Sequence, residues 1–196
     1  MKLKKSVLAG LLALAMFATA CSTSWVSQAI AITNALLPVA VNVIQLVTAM
    51  QSAEGSSTAD VVLAQKWAAT VSADLTLVQT LLKQYNSAAA ADKPGFLNKL
   101  NDALQVVSSD LGTLLPALHI SNPQTQAKVT AMVGLVAAEI SAIEALVSAA
   151  QGKTSIPRNA PKVMDAKSFS AAYKTLVKTP TGYAPLDQAT KALVLP

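Results

Sequence analysis

The stretch "LNKLNDALQVVSSDLGTLLPAL", residues 97–118, carries the pattern that decides the fold. Its apolar residues recur at alternating steps of three and four, which is the spacing of a helix that buries one face. The positions on this apolar seam are Leu97, Leu100, Leu104, Val107, Leu111, Leu114 and Leu118. The stretch therefore predicts a long helix that packs against other helices.

Three further segments repeat this spacing. The first seam comprises Ala29, Ile32, Leu36, Val39, Val43, Leu46 and Met50, and the second comprises Val61, Ala64, Ala68, Val71, Leu75, Val78, Leu82 and Tyr85. The fourth comprises Val129, Val133, Val136, Ile140, Ile143 and Val147. Short joints at 54–58, 91–95 and 119–123 make neighbouring helices antiparallel. Residues 25–151 are therefore predicted to form an up-down-up-down four-helix bundle.

The joints also contain helix-boundary signals. Ser57 followed by Asp60 resembles a capping box, and Pro94 suits the first turn of a helix. Asn122 stands directly before a proline, which is the arrangement of an N-cap followed by the first helical residue. Gly152 is expected to end the fourth helix in a left-handed conformation.

The composition fits an all-α protein and limits the chemistry. The chain is 53% hydrophobic but 4% aromatic and 13% charged, which favours helices covered by Ala, Ser, Thr, Asn and Gln. One cysteine, Cys21, and one histidine, His119, are too few for a disulfide or a cysteine- or histidine-rich metal site. No nucleophile–base spacing or Gly-rich phosphate loop stands out, so we expect no enzyme, catalytic residue, metal or cofactor. His119 is interpreted as a surface or capping residue.

The N-terminus reads "MKLKKSVLAGLLALAMFATAC", residues 1–21. Three lysines precede a short apolar run, and small residues at 18 and 20 precede Cys21. This is the layout of a secretory signal, and the run is too short to span a bilayer. We therefore predict a cleaved signal over residues 1–20.

The sequence "ATAC" at 18–21 resembles the lipobox of bacterial lipoproteins, over residues 1–21 only. The class prefers leucine where Ala18 stands. The resemblance implies that Cys21 is acylated and begins the mature chain, that residues 21–24 form a lipidated tether, and that the acyl chains hold the protein on a membrane. Ser22 follows in place of aspartate, which implies the outer membrane in a Gram-negative host.

The first helix allows a second interpretation. No charged residue occurs from Ser6 to Ala53, so residues 29–50 also fit a membrane-inserting helix. Ser27, Asn34, Gln45 and Thr48 share one side, with Asn42 beside them, and such a polar stripe favours a bundle helix with one wet face.

Residues 152–196 form a basic C-terminal segment with seven basic and two acidic residues. A short helix is predicted at about 165–178, capped by Asp165, and the rest of the tail is expected to be irregular. Lys167, Lys174 and Lys178 fall on one side of this helix. They form either a solvated ridge or a contact surface for an anionic partner such as lipid headgroups or an envelope polymer.

These features favour an exported, lipid-anchored cell-envelope protein that acts as a structural or interaction module. Its partners would be the membrane, through Cys21, and an envelope protein or anionic polymer. A single arginine and export argue against nucleic acid. Two alternatives stay open: a membrane-active protein whose first helix inserts into a bilayer, and a carrier of an apolar ligand near Ala64 and Ala68 in the bundle core. The sequence leaves the oligomeric state open.

Overall fold

A computed structural model provides the structure of the chain and describes residues 3–54, 58–152 and 164–196. Side chains are described from Trp25 onward, except those of Ser52 and Glu54. Six helices and a 3₁₀ turn follow one another along the chain, and the described residues contain no strand. The elements are α1 Leu3–Glu54, α2 Thr58–Ser87, α3 Lys93–Ala117, α4 Pro123–Ala150, α5 Ala166–Lys178, α6 Ala184–Ala189 and the 3₁₀ turn Thr190–Ala192.

The four long helices form the predicted antiparallel bundle. Each packs against the next in the chain, and α1 also packs against α4, which closes the ring. The ring of Trp25 in α1 lies 5.7 Å from that of Tyr85, near the end of α2. Trp67 Nε1 in α2 donates a hydrogen bond to the Asp110 carbonyl oxygen of α3 at 3.0 Å. These contacts place an earlier part of one helix beside a later part of the next, as the up-down topology requires.

The core consists of the four predicted seams. All seam residues are buried except Val61, which is half-buried. Burying such a continuous apolar surface is the main favourable contribution to folding. Ala64 and Ala68, the small seam residues in α2, are themselves buried.

Several predicted helix boundaries are confirmed. The Asn122 side chain accepts hydrogen bonds from the backbone nitrogens of Gln124 at 2.9 Å and Thr125 at 3.0 Å, so it caps α4. Pro94 lies in the first turn of α3, and Gly152 has φ of +70° just after α4. Ser57 lies outside the described residues.

The first helix has the predicted wet stripe only in part: Thr48 is half-buried, and Asn42 is buried because it bonds the C-terminal segment. Ser27, Asn34 and Gln45 are exposed, whereas Ile32 and Leu36 on the other side are buried in the bundle. Two stretches, Trp25–Gln51 of α1 and Pro123–Ala150 of α4, are long and apolar enough to cross a membrane by length and composition. Half of the apolar window in α1 and 44% of that in α4 are buried inside the bundle.

The C-terminal segment, residues 164–196, packs along the outside of the bundle. Its helix α5 matches the predicted position and contacts α1 and α4. The expectation of an irregular tail is wrong over Ala184–Ala189, where α6 packs on α1. This helix forms because Leu186 is fully buried and because the Asp187 carboxylate accepts hydrogen bonds from the backbone nitrogens of Thr181 and Gly182.

Candidate functional site

Cys21, the predicted lipid-attachment residue, lies in the part of α1 whose side chains are not described, and so does the predicted tether at 21–24. Within the residues whose side chains are described, no three of His, Cys, Asp or Glu come together as a metal site would require. The remaining predicted site residues all lie on α5.

Helix α5 presents two different faces. Lys167, Lys174 and Lys178 are exposed and form a line along its outer side, which we call the lysine ridge. Among the described residues, no carboxylate lies within ion-pair distance of these lysines. The opposite face is fully buried and carries Phe169 and Tyr173, whose rings stack with centroids 6.3 Å apart. The helix is therefore docked by its aromatic face with its cationic face in water.

The start of α5 is held by two carboxylates. The Asp165 side chain accepts a hydrogen bond from the Ser168 nitrogen at 2.8 Å, as an N-cap does, and this bond lowers the pKa of the Asp165 carboxyl. Glu139 of α4 is 2% exposed, and its Oε2 accepts a hydrogen bond from the Met164 nitrogen at 3.0 Å. Burial raises the pKa of Glu139, and the hydrogen bond from Met164 opposes that shift.

The end of α5 is held by a buried lysine of α4. Lys128 is 5% exposed, and its Nζ donates to the carbonyl oxygens of Leu176 and Thr179, both at 2.7 Å, and of Val177 at 3.4 Å. These are carbonyls at the end of a helix, which otherwise lack a partner within the helix. Burial lowers the pKa of Lys128, and the charge of Asp187 opposes that shift.

Glu139 and Lys128 each hold one end of α5 by hydrogen bonds, and we call these two buried residues clamps. Glu139 and Lys128 lie about 17 Å apart along α4 at 1.5 Å per residue, close to the length of α5. The anionic clamp holds the N-terminal end of α5 and the cationic clamp holds its C-terminal end. Each charge therefore has the sign that the helix dipole favours. α5 must consequently run antiparallel to α4 at one fixed position.

A third polar clamp joins α1 to the end of the chain. Asn42 is fully buried, and its Nδ2 donates to the Tyr173 hydroxyl and the Val194 carbonyl oxygen, both at 2.6 Å. The Val194 nitrogen returns a hydrogen bond to Asn42 Oδ1 at 2.9 Å. Burial raises the pKa of Tyr173 to about 12, and the bond from Asn42 opposes the shift.

Open clefts border the docked segment. One, with a volume of about 390 Å³, has the buried Val177 and Leu193 among its lining residues, together with the exposed Lys178 and Lys191. Another, of about 410 Å³, lies between α1 and the chain from the end of α6 to the 3₁₀ turn, and its lining includes Ile44, Ala189 and Ala192. The first cleft therefore adjoins the C-terminal end of the lysine ridge, and the second lies beside α6.

The two ends of the bundle differ in character. At one end Trp25 packs against Tyr85, Lys93 Nζ lies 5.1 Å from the Tyr85 ring centre, and Lys99 Nζ lies 5.7 Å from that of Phe96. We call this the aromatic end.

The opposite, polar end contains Asp60, His119 and Asn122. His119 is 85% exposed and its Nδ1 lies 3.3 Å from the Asp60 carboxylate. This position agrees with the predicted surface role of His119, whereas its contact with Asp60 joins residues far apart in the chain and was not predicted.

Sequence reasoning did not single out Glu139 or Lys128 as clamps, and it placed Asn42 only beside the polar stripe. The available signal was their position in the sequence: each of the three residues stands next to a seam residue, where a polar side chain needs a partner.

Comparisons with protein-family models, with curated proteins and with solved structures found no match to this chain.

Proposed function

We propose that this chain is a lipid-anchored protein of the bacterial envelope, which acts as a structural and interaction module. Cys21 is the attachment point, the four-helix bundle is the rigid body, and the lysine ridge on α5 contacts an anionic envelope partner. The observation that carries the interaction role is the rigid display of Lys167, Lys174 and Lys178 on a helix clamped at both ends.

The energetic cost of burying the charged clamps Glu139 and Lys128 supports a functional role for the position of α5. Burying a carboxylate and an ammonium group is unfavourable unless each is hydrogen-bonded, and an apolar contact would hold a short helix more cheaply. Two buried charges that fix one helix in position suit a surface whose geometry matters. The ridge is then an ordered row of cations with no carboxylate of the described residues in ion-pair contact.

The anchor is tested by comparing the full-length chain with its Cys21→Ala variant in the native host. Metabolic labelling with an alkyne fatty acid should mark the wild-type protein and not the variant, and the variant should move from the membrane to the soluble fraction. Identical labelling and fractionation of the two proteins would reject the anchor.

The ridge is tested with the same Cys21→Ala protein, purified and mixed with insoluble cell-wall polymer from the host. Replacing Lys167, Lys174 and Lys178 together by Gln should weaken co-sedimentation by at least about tenfold, since each lysine contributes about 1 kcal/mol near an anionic surface. The matched control replaces three exposed lysines of the bundle instead, Lys66, Lys83 and Lys99. Equal losses in both triple variants would show non-specific charge attraction and contradict a dedicated ridge.

Membrane insertion of α1 is the second candidate, and the uncharged apolar stretch Trp25–Gln51 favours it. Leaving the bundle would expose the apolar seams of the other helices and separate Asn42 from Tyr173 and Val194. Release of a trapped dye from liposomes by the Cys21→Ala protein would support this candidate. Intact liposomes, together with slow amide hydrogen exchange throughout α1, would reject it.

A further inference from the structure

We infer that the aromatic end of the bundle is a membrane-docking face, which sits in the headgroup layer of the same bilayer that holds the acyl chains. The inference rests on the proposed lipid anchor at Cys21. It adds an orientation: the bundle stands upright on the membrane, and the lysine ridge lies along its side, above the lipid headgroups.

The first support is the chemistry of the aromatic end. Trp25 and Phe96 are only half-buried although they are large and aromatic, and Tyr85 packs against Trp25. Amphipathic aromatic rings of this kind are enriched at the membrane–water interface. Two lysines lie over these rings, so their cationic heads are positioned beside the apolar surface.

The second support is the loop between α2 and α3. Residues 88–91 are four consecutive alanines, three of them exposed, at the tip of the aromatic end. A soluble loop usually carries polar residues at such a tip, whereas small apolar residues enter a headgroup layer at little cost. Among the described residues near this tip, Lys83, Lys93 and Lys99 outnumber the carboxylates of Asp92 and Glu144, which gives net attraction to anionic lipids.

The third support is continuity with the anchor. Trp25 follows Cys21 by four residues, so the acyl chains leave the protein at this end of the bundle and not at the polar end. The polar end presents His119, whose side chain is 85% exposed beside the carboxylate of Asp60. Both the position of the tether and the net positive charge of the aromatic end therefore favour a membrane as the surface that this end contacts.

The orientation separates the ridge from the anchoring membrane. The clamp residues Glu139 and Lys128 lie about 17 Å and 33 Å from the last residue of α4 at 1.5 Å per residue, and the ridge spans the same interval. Because the Debye length is about 8 Å at physiological ionic strength, the ridge is largely screened from the lipid charge. Its anionic partner must then come from the space above the membrane.

The experiment uses lipidated protein purified from the host and reconstituted into vesicles of phosphatidylcholine and phosphatidylglycerol. Single cysteines are introduced at three exposed positions as Ala90→Cys, His119→Cys and Thr175→Cys, and each is labelled with a nitroxide; acylation blocks Cys21. Relative accessibility to oxygen and to a nickel chelate then measures the depth of each label, and flotation of the vesicles reports the anchor separately.

The expected result is a label at headgroup depth for Ala90→Cys and labels in water for His119→Cys and Thr175→Cys. Reversing the charge of the two lysines that lie over the rings, as Lys93→Glu with Lys99→Glu, should lower the ratio of docked to free protein, read from the Ala90 label, by at least about 30-fold. The matched reversal Lys66→Glu, on an exposed part of α2, should leave that ratio unchanged.

The outcomes separate the two proposals. Protein that floats with vesicles while the Ala90 label stays in water overturns the docking face and leaves the anchor standing. A Thr175 label in the bilayer means that the bundle lies flat on the ridge side, which also overturns the inference. Protein that fails to float overturns both the anchor and the docking face.

Discussion

Glu139 shows how one buried side chain links local chemistry to stability. Its carboxylate is almost fully enclosed and accepts one described hydrogen bond, from the Met164 nitrogen. Burial raises its pKa, so the folded state favours the protonated form. The stability contributed by that proton is complete at low pH and is lost as the pH rises through the folded pKa.

The substitution Glu139→Gln should therefore stabilise the protein at neutral pH. Glutamine keeps an acceptor oxygen for Met164 and removes the buried charge. We expect the free energy of unfolding to rise by about 1 kcal/mol at pH 7.5, a usual size for one substituted group, with the difference vanishing below the ordinary value of 4.5. Urea unfolding at several pH values measures this.

Glu144→Gln is the matched control, since Glu144 is half-buried on the same helix and accepts a hydrogen bond from Ser108 at 2.8 Å. It should show no comparable rise at neutral pH. If both variants respond equally across the pH range, burial of Glu139 is not the cause.

At the scale of elements, α5 depends on α4 for its position. A helix of 13 residues is marginal in isolation, so its stability must come from its docked aromatic face and from the groups at its two ends. Lys128 supplies three hydrogen bonds to the last carbonyl oxygens.

Replacing Lys128 by Met should loosen the end of α5. Methionine keeps most of the apolar stem but leaves the carbonyls of Leu176 and Thr179 without their donor, at a cost of about 1–2 kcal/mol. The loss should appear as faster amide hydrogen exchange over the last turn of α5, with the bundle helices unaffected. Lys66→Met, at an exposed lysine of α2, is the control and should leave exchange in α5 unchanged.

The elements that sequence predicts well are those with a strong repeat. The seam of α3, from Leu97 to Leu118, is buried throughout because a long periodic pattern fixes one face of a helix. Caps such as Asn122 are predictable because the signal is local. α6 was missed because six residues contain too few turns for periodicity, and because its Asp187–Thr181 bond depends on the folded turn.

The candidate site was predictable only in part, for a related reason. An amphipathic pattern places Lys167, Lys174 and Lys178 on the outside of α5 without knowledge of the rest of the chain. The clamps depend on contacts between residues far apart in sequence: Asn42 meets Val194, and Lys128 meets Thr179. Lysine, glutamate and asparagine are usually exposed, so composition alone assigns all three clamps to the surface.

At the scale of the whole molecule, Tyr173 makes attachment of the C-terminal segment sensitive to alkali. Its hydroxyl is buried against Asn42, and its pKa rises from 10.0 to about 12. The neutral hydroxyl is favoured in the folded state. The stability it contributes is therefore complete below pH 10 and is lost as the pH rises towards the folded value.

Urea unfolding between pH 9.5 and 12 should show this loss in the wild-type protein, at about 2 kcal/mol for a shift of this size. Tyr173→Phe should be somewhat less stable at neutral pH, because Asn42 loses an acceptor, but its stability should fall less steeply with alkali. Tyr85→Phe, at a buried tyrosine of α2 whose pKa burial also raises, should retain the part of the fall that Tyr173 causes. A wild-type slope in Tyr173→Phe would contradict the assignment.

The Asn42 clamp has a consequence for communication between distant parts of the chain. One amide group bonds the first helix to both Tyr173 and Val194, so the free energy of seating the C-terminal segment is shared with that of keeping α1 in the bundle. Thermodynamic linkage makes such a coupling reciprocal. A partner that lifts the C-terminal segment off the bundle therefore weakens the hold on α1 by the same amount. Any force that pulls α1 away from the bundle likewise loosens the surface that carries the ridge.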